Sequence, residues 1–408
     1  MTALISAFPR RIAVLGSSGS IGKNALEVIA GSDGHLVPIL LSVHRRTDIL
    51  AEQVRQIIDR NAALPRWIAV TDPAADRSPL QQLPKTIEIR FGHDALCEMI
   101  RQTEIDTVLS AIVGSAGLTS TVAALEAGKT VALANKESLV MGGSVLTGFA
   151  EKHGGRLIPV DSEHSAVMQA LQSWKMDSGQ EKNSAEHSAG SAVEKIILTA
   201  SGGPFRNRTL AELADVTVED ALAHPTWNMG KKITVDSATL INKALEIIEA
   251  RWFFDIPAAK IGVMIHPQSL IHSMVEFVDG SVMAQMSPPD MRLPIQLALN
   301  YPFRFPGPSL KWDWTKSRML EFYPPDYERF PAIPLGLEVA EKGGTAGAVI
   351  NAANEVAAAA FLAGKLPFHK IVSICRTVLE NHTFDPNPAL EELPAVDRRA
   401  RTEAEKMI

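Results

Sequence analysis

The segment Val235–Glu246 holds the densest group of side chains that could do chemistry. Asn242, Lys243 and Glu246 follow one another closely in it. If residues 238–249 form a helix, Asn242 and Glu246 lie one turn apart on the same face, with Lys243 beside them. An amide, a cation and a carboxylate on one surface can bind a phosphate and a metal ion together. A solvated helix face often has the same composition, so this segment needs support from elsewhere in the chain.

Two more carboxylates follow the apolar run Leu157–Val160. In an extended chain, residues two apart point to the same side, so Asp161 and Glu163 are expected to present their carboxylates together. With Glu246 they make three oxygen ligands, enough for a hard divalent cation with positions left for substrate or water. An isolated Asp-x-Glu pair is more often just a polar strand end. The three acids together favour a metal site.

A glycine-rich turn follows the first apolar run, Ile12–Leu15. The turn runs from Gly16 through Gly19 to Gly22, and a helical pattern comes next. Strand, glycine-rich turn and helix form the setting of a dinucleotide site, where the backbone approaches the pyrophosphate at a helix N-terminus. The spacing is G-x-x-G-x-x-G rather than G-x-G-x-x-G. The turn is a weak signal by itself, and its position after a strand strengthens it.

The end of the next apolar run indicates which dinucleotide is bound. After Leu36–Val43 come His44, Arg45 and Arg46, where an NAD site would carry an acid for the ribose hydroxyls. Two arginines suit a 2′-phosphate, which favours NADP over NAD. The alternative explanation is a pair of ordinary surface arginines.

Composition limits the class of protein. The chain has 408 residues, of which 46% are hydrophobic and 21% charged, as in ordinary globular proteins of two or three domains. A net charge of −6 argues against nucleic acid or an anionic membrane as partner. Cys97 and Cys375 are the only cysteines, which suggests a reducing compartment. We find no apolar run long enough to span a membrane, and Met1–Phe8 is too short for a signal or transit peptide. A cytoplasmic protein is therefore expected.

The order of elements predicts an α/β fold with four parts. Residues 1–160 alternate short apolar runs with helical patterns, which predicts an NADPH-binding, Rossmann-like, doubly wound domain. Residues 161–300 predict a central α+β catalytic domain with the metal site, the substrate site and a lid. The proline-rich residues 301–334 predict an extended linker, and residues 335–408 a C-terminal helical bundle. Residues 176–192 are polar and rich in Ser and Gly, so we expect a mobile surface loop there.

The chain resembles the 1-deoxy-D-xylulose 5-phosphate reductoisomerase family in motifs that run almost from end to end. They are Gly16–Gly22, Ala134–Leu139, Pro159–His164, Ser201–Phe205, His224–Lys232, Val235–Glu246, Ile265–Ser269 and Asn351–Glu355. Two places depart from the family's pattern. Ser18 stands where the family usually has Thr, and His44-Arg45-Arg46 stand where it often has Gly-Lys-Asn.

The resemblance implies an NADPH-dependent oxidoreductase of the methylerythritol phosphate pathway of isoprenoid precursor biosynthesis. Such an enzyme converts 1-deoxy-D-xylulose 5-phosphate to 2-C-methyl-D-erythritol 4-phosphate. A metal-assisted rearrangement of the retroaldol/aldol type comes first, and reduction by NADPH hydride follows. The resemblance also implies a divalent cation (Mg²⁺, Mn²⁺ or Co²⁺) and a homodimer.

The same resemblance implies roles for individual residues. The metal ligands would be Asp161, Glu163 and Glu246. The phosphorylated ketose would contact Lys136, Ser162, Glu163, Ser201, His224, Ser237, Asn242, Lys243 and Glu246. NADPH would contact Ser18, Gly19, Ser20, Ile21, Arg45, Arg46, Asn135, Glu137 and Gly230. The catalytic set would be Lys136, Asp161, Glu163, Glu246, His224 and Trp227.

Residues 224–230 resemble a lid over the active site. Trp227 is a large apolar plate in a polar turn, and closure would exclude water from reactive intermediates. A lone tryptophan is more often a buried core residue than part of a lid. The resemblance to the family makes the lid the favoured explanation here. His266 is expected to be structural. Asn351, Asn354 and Glu355 are expected to tie the C-terminal helices to the catalytic region.

Two other functions remain open at this stage. A metal-free dehydrogenase of another phosphorylated substrate would explain the turn Gly16–Gly22 but not the assembled carboxylates, and a metal requirement would distinguish it. The second alternative is a protein that senses NADP without catalysing a reaction, and a turnover assay would distinguish it from an enzyme.

Overall fold

The computed structural model describes residues 8–175 and 192–408. The chain divides into two compact units. Unit 1 consists of Met1–Ser138, Leu146–Asp161 and Asp290–Leu310. Unit 2 consists of Leu139–Val145, Ser162–Pro289 and Lys311–Ile408. The predicted loop at 176–192 lies, except for its last residue, outside the described residues.

Unit 1 is built on a parallel sheet of seven strands. They are β1 (Arg10–Leu15), β2 (Leu36–Val43), β3 (Trp67–Val70), β4 (Glu88–Phe91), β5 (Thr107–Ser110), β6 (Thr130–Leu133) and β7 (Arg156–Pro159). Their order in the sheet is β4-β3-β2-β1-β5-β6-β7, and every neighbouring pair is parallel. The order changes direction between β1 and β5, and ligands of such sheets bind outside the strand ends at this switch point. The α/β, Rossmann-like prediction is confirmed.

Most of these strands follow the apolar runs of the sequence. β1, β3, β5 and β6 are short and largely buried, because the helices of a doubly wound sheet cover both faces. β4 is the exception, and the sequence analysis missed it. It is an edge strand in which two residues, Glu88 and Arg90, are exposed. An edge strand with charged residues has no continuous apolar run to reveal it.

Helices connect the strands of unit 1. They are α1 (Ser20–Ala30), α2 (Thr47–Asp59), α3 (His93–Ile100), α4 (Gly117–Glu126) and α5 (Lys136–His153), which is kinked at Gly143 and partly belongs to unit 2.

The later segment 290–310 also belongs to unit 1, although the sequence predicted that residues up to 300 form part of the catalytic domain. This segment contains one helix, α11 (Arg292–Asn300). Helices are numbered in chain order, and those between α5 and α11 belong to unit 2 and are given below. Arg10 Nη1 donates to the carbonyl oxygens of Leu299 at 2.8 Å and Tyr301 at 3.0 Å. These long-range contacts are invisible to a local sequence pattern. The four-part domain division stays a prediction.

Unit 2 contains a four-stranded sheet and most of the helices. Its strands are β8 (Val193–Ala200), β9 (Ile261–Ile265), β10 (Ile271–Phe277) and β11 (Val282–Met286), in the order β11-β10-β8-β9. Its helices are α6 (Ser162–Lys175), α7 (Leu210–Leu213), α8 (Val218–Leu222), α9 (Lys231–Ala238), α10 (Ile241–Phe254), α12 (Ala332–Lys342), α13 (Ala346–Leu362), α14 (Lys370–Asn381) and α15 (Leu393–Glu405). Among the described helices, none combines the length and the apolar character that crossing a membrane requires.

The predicted helix over 238–249 is interrupted near its start. α9 ends at Ala238, and α10 begins at Ile241 after Leu240 adopts a left-handed conformation with φ of 58°. The hydroxyl of Thr239 accepts a hydrogen bond from the Ile241 amide at 3.3 Å, so a side chain replaces the helical partner there. Ser237 therefore lies on one helix, while Asn242, Lys243 and Glu246 lie on the next.

Candidate active site

The glycine-rich turn joins β1 to α1 at the switch point of the sheet. Gly16 has φ of 76°, and a Cβ there would lie 2.6 Å from the carbonyl oxygen of Ala111, so only glycine fits. Helix α1 begins after Gly19 with no side-chain cap, which leaves its first amides available to an anion. The predicted cofactor residues Ser18, Gly19, Ser20 and Ile21 all lie at this helix start.

Gln53 of α2 fixes the conformation of this turn, and the sequence analysis missed it. Its Nε2 donates to the Ser17 carbonyl oxygen at 2.7 Å, and its Oε1 accepts from the Ser17 hydroxyl at 2.8 Å. Both side chains are buried. A glutamine beside the buried apolar positions of a helix was the only signal available in the sequence.

The two arginines after β2 are exposed, and each pairs with a different acid. Arg45 pairs with Asp72, which follows β3, and Arg46 lies 3.5 Å from Asp48. The pKa of Asp72 is lowered, chiefly by a hydrogen bond from the Ala74 amide and then by Arg45. Both guanidinium groups are largely exposed, so they remain accessible to a phosphate. Asp72 was not anticipated, because its pairing depends on the neighbouring ends of β2 and β3.

Asn135 caps helix α5 and holds the loop that follows β5. Its Oδ1 accepts from the Ser138 amide at 3.0 Å. Its Nδ2 lies within hydrogen-bond distance of the carbonyl oxygens of Ile112 and Gly114 and of the Glu137 carboxylate. These bonds fix the loop at the carboxyl edge of the sheet. The cofactor contacts of Asn135 and Glu137 stay predictions.

Lys136 is nearly buried and faces an acid. Its Nζ donates to Asp161 Oδ2 at 2.7 Å. The pair joins the loop after β6 to the end of the segment after β7. An ammonium held in this way can contact a substrate and hold a proton at Nζ.

The carboxylates expected to bind metal come together at the start of α6. Carboxylate oxygens of Asp161, Glu163 and Glu246 all lie within 4.8 Å of one another. The reason differs from the expected one: Ser162 begins a helix, so Glu163 stands in the first helical turn and not on an extended chain. The Ser162 hydroxyl donates to Glu163 Oε2 at 2.7 Å. A set of three carboxylates is the donor chemistry of Mg²⁺ or Mn²⁺, so these residues fit such a cation.

Neighbouring side chains of α10 compensate the charge of Glu246. Lys243 Nζ pairs with the Glu246 carboxylate and lies 3.4 Å from Glu163 Oε1. Asn242 Nδ2 donates to Glu246 Oε1 at 2.5 Å. The expected grouping of an amide, a cation and a carboxylate on one helix face is therefore present.

His164 of α6 holds the helix that carries Glu246. Its ring is fully buried, and its Nε2 donates to the backbone oxygen of Glu246 at 2.8 Å. Its Nδ1 lies 3.8 Å from Glu249 Oε2, and Asp161, His164 and Glu249 form a second group with metal-ligating atoms close together. The sequence analysis quoted His164 in a motif but gave it no role.

Ser201 and His224 form a second polar cluster, after β8. His224 Nδ1 accepts from the amides of Thr226 at 3.1 Å and Trp227 at 2.9 Å, so the proton must sit on Nε2. Nε2 then donates to Ser201 Oγ at 3.1 Å, which also accepts from the Gly203 amide at 3.2 Å. Because Ser201 Oγ accepts both of these hydrogen bonds, its own proton points away from His224 and Gly203. The hydroxyl can then donate this proton to a bound anion. Burial, helped by Arg206, lowers the pKa of His224 and favours this neutral form.

The glycines after Ser201 bring this cluster against α9. Gly203 has φ of 65°, and a Cβ there would lie 2.8 Å from the Ser237 carbonyl oxygen. Ser237 is thus a neighbour of the Ser201 turn, although the two residues are far apart in sequence. Further along the chain, Asn354 Nδ2 donates to Asp236 Oδ1 at 2.9 Å, and Lys232 Nζ lies 2.7 Å from Asp236 Oδ2. α13 therefore contacts the helix that carries Ser237.

The other two residues expected to tie the C-terminal helices to the catalytic region, Asn351 and Glu355, make contacts within the C-terminal helices instead. Asn351 Nδ2 donates to Glu355 Oε1 at 3.2 Å, and Glu355 pairs with Arg401 of α15 at 2.5 Å.

Trp227 is half-buried, and its ring centroid lies 6.3 Å from that of His272. Gly230 is exposed and stands at the N-terminus of α9. His272 was missed by the sequence analysis, although a histidine on the apolar strand β10 is a signal. Burial is the largest influence on the pKa of His272 and lowers it, while Glu163 acts in the opposite direction.

His266 makes two backbone hydrogen bonds, which is a structural arrangement. Its Nδ1 donates to the Glu321 carbonyl oxygen at 2.8 Å, and its Nε2 accepts from the Leu270 amide at 3.1 Å.

Two features together define the class of protein: the glycine-rich turn and the group of three carboxylates. A glycine-rich turn at the switch point of a parallel sheet is a dinucleotide site, and three carboxylates compensated by lysines suit a divalent cation. They define a dinucleotide-dependent oxidoreductase that uses a metal.

Comparison with known proteins gives the family. Models of the 1-deoxy-D-xylulose 5-phosphate reductoisomerase match residues 12–143, and models of its C-terminal domains match 157–254 and 286–403. Enzymes of this name from Rhodopirellula baltica and Thermodesulfovibrio yellowstonii are 45% and 44% identical, over 97% and 98% of this chain and 94% and 99% of their own. The chain belongs to the 1-deoxy-D-xylulose 5-phosphate reductoisomerase family, and it is an NADPH-dependent oxidoreductase.

Solved structures agree. The Zymomonas mobilis reductoisomerase in complex with NADPH is 42% identical, with a TM-score of 0.86 over 98% of this chain and 99% of that one. A DOX-P reductoisomerase in complex with NADPH, fosmidomycin and magnesium is 37% identical, with a TM-score of 0.88 over 97% of this chain and 98% of that one.

The first prediction concerns the choice of cofactor. Replacing Arg45 and Arg46 by Ala should raise KM for NADPH roughly tenfold or more, because a lost charged hydrogen bond costs about 1.5–3 kcal/mol. KM for NADH should change little. Arg55→Ala, which removes an exposed arginine of α2 paired with Glu52, is the control and should leave both values unchanged. Equal use of NADH and NADPH by the wild-type enzyme would contradict the assignment.

The second prediction concerns the lid. Trp227→Ala should weaken substrate binding and slow turnover with little change in Tm, because a half-buried lid residue contributes few core contacts. Trp67→Ala is the matched control, since Trp67 is buried in β3 and its loss should lower Tm strongly. Unchanged kinetics with a large drop in Tm for Trp227→Ala would make Trp227 a core residue.

Proposed function

We propose that this chain converts 1-deoxy-D-xylulose 5-phosphate to 2-C-methyl-D-erythritol 4-phosphate with NADPH and a divalent cation. This reaction belongs to the methylerythritol phosphate pathway of isoprenoid precursor biosynthesis. The observation that carries the proposal is the group Asp161, Glu163 and Glu246, with oxygens within 4.8 Å of one another, in a member of this family. A metal-free dehydrogenase has no use for such a group.

The metal would be held by the three carboxylates, as Mg²⁺, Mn²⁺ or Co²⁺. When bound, the cation polarises the substrate carbonyl and stabilises negative charge on the neighbouring oxygens through rearrangement and reduction. Glu163 and Glu246 would also contact the substrate, and the Ser162 hydroxyl, which donates to Glu163 Oε2 at 2.7 Å, would orient Glu163 for this contact.

The phosphate end would be bound by Ser201, Ser237, Asn242 and Lys243. Ser201 can donate its hydroxyl proton, because His224 and the Gly203 amide already occupy its lone pairs. Lys243 supplies positive charge. His224 holds the turn that carries Trp227, so closure of residues 224–230 over the phosphate would exclude water from the reacting atoms.

Lys136 would contact the substrate and hold or release a proton at Nζ during rearrangement. Its position is set by Asp161 at 2.7 Å.

The cofactor's pyrophosphate would bind at the start of α1, at Ser18, Gly19, Ser20 and Ile21, and its 2′-phosphate at Arg45 and Arg46. Asn135, Glu137 and Gly230 would contact the nicotinamide half. NADPH carries the hydride, so the work of these residues is to bind and orient it.

We also propose a homodimer formed through β11. β11 is an edge strand of its sheet, and Val282, Met283 and Met286 on it are exposed. An exposed apolar edge strand is usually covered in native proteins, and a second copy can pair with it about a two-fold axis.

We place the enzyme in the cytoplasm, where a reducing environment matches its two free, buried cysteines.

Oxidation of NADPH with 1-deoxy-D-xylulose 5-phosphate tests the function directly. We expect turnover with Mg²⁺ or Mn²⁺ and none after chelation. Asp161→Asn keeps the shape of the ligand but removes its charge, so it should abolish most activity and leave NADPH binding nearly intact. Asp255→Asn, at an almost fully exposed acid, is the control. A near-normal kcat of Asp161→Asn in chelator-treated buffer would contradict the metal mechanism and favour the alternative, a metal-free dehydrogenase.

Light scattering after size exclusion tests the dimer. Met283→Asp should convert dimers to monomers, because it places a charge in the centre of the proposed apolar contact. Ile58→Asp on α2 is the matched control, since both side chains are 43% exposed and only Met283 lies on the edge strand. A dimer that persists in Met283→Asp would exclude β11 as the interface.

A further inference from the structure

Lys243 holds two of the carboxylates expected to bind the cation. Its Nζ pairs with Glu246 and lies 3.4 Å from Glu163 Oε1. Lys243 is only 3% exposed and Glu246 1%. A buried ammonium needs charged partners, and here it takes them from the metal-binding group.

The two positive charges cannot both keep these positions. A divalent cation bound by Glu163 and Glu246 would stand close to an ammonium on the same two carboxylates, where burial weakens the screening of their repulsion. The lysine side chain has a flexible four-carbon stem, so it can turn away without moving its helix.

Lys136 is placed in the same way against Asp161, at 2.7 Å. Two ammonium groups against three carboxylates leave one negative charge. A divalent cation would change that balance to one positive charge, and a phosphate dianion would then return it to one negative charge. A cation and a phosphate dianion that arrive together would therefore leave the net charge of these five side chains unchanged.

We propose that Lys243 takes the place of the cation in the metal-free enzyme and turns to the substrate phosphate when the cation binds. Metal and phosphate binding are then coupled through one side chain, and each must strengthen the other to the same extent. The inference rests on the proposed function, because it takes the three carboxylates as the metal site and Lys243 as a phosphate ligand.

The test is the affinity of the substrate-free enzyme for Mn²⁺, measured by calorimetry or electron paramagnetic resonance. Lys243→Met removes the internal competitor, so the dissociation constant for Mn²⁺ should fall about fivefold or more, in the usual range of coupling energies. A lysine that only binds phosphate would leave it unchanged. Lys232→Met is the matched control: it removes the same charge from α9, where Lys232 pairs with Asp236 outside the metal group, and Mn²⁺ affinity should stay at the wild-type value.

The coupling itself is measured with inorganic phosphate as the probe. Mg²⁺ should tighten phosphate binding more in the wild type than in Lys243→Met, because only the wild type has a lysine to release. Lys243→Arg provides a second variant if Lys243→Met does not fold. Its guanidinium can bind carboxylates through two parallel hydrogen bonds, so it should weaken Mn²⁺ binding relative to the wild type.

The outcomes separate the two proposals. A wild-type enzyme that binds no Mn²⁺ would overturn the proposed metal function. A wild-type enzyme that binds Mn²⁺, with Lys243→Met binding it equally or less tightly, would overturn only the exchange of Lys243 between metal and phosphate.

Discussion

The crowding of three carboxylates is the constraint on which the rest of the active site depends. Asp161, Glu163 and Glu246 bring oxygens within 4.8 Å of one another, and negative charges so close repel one another strongly unless positive charge is nearby. Lys136, Lys243 and Asn242 supply charge and hydrogen bonds to this group. Two lysines against three carboxylates leave a site that still favours a cation.

Backbone groups fix the orientation of the reactive side chains around it. Two loop amides set the tautomer of His224, which in turn directs the Ser201 hydroxyl. The Glu246 carbonyl oxygen accepts from His164, which links α6 to α10. In the other unit, Gln53 closes the glycine-rich turn through both atoms of its amide. Each of these bonds satisfies a buried or half-buried polar group, so the same contact that lowers the free energy of the fold also aims a side chain.

Much of unit 1 and of the chemistry could be predicted from sequence because the signals are local. The apolar runs Ile12–Leu15, Leu36–Val43 and Leu157–Val160 correspond to β1, β2 and β7, and the turn at Gly16–Gly22 has a fixed relation to the strand before it. Two local expectations were wrong. The chain around Asp161 was expected to be extended, but α6 begins at Ser162, and the helix expected from 238 is broken at Leu240. Both errors lie at helix ends, where one side chain or one left-handed residue decides the backbone.

By itself the sequence determined which chemical groups are present and how neighbours along one element face each other, because i and i+4 spacing is set by the helix. Asn242 and Glu246 are therefore hydrogen-bonded as expected. Only the tertiary structure decided the pairings between distant segments: His164 with Glu246, Arg45 with Asp72, Trp227 with His272 and Arg10 with the end of α11. These contacts close long loops of chain, and no local pattern of residues specifies which loop will close on which.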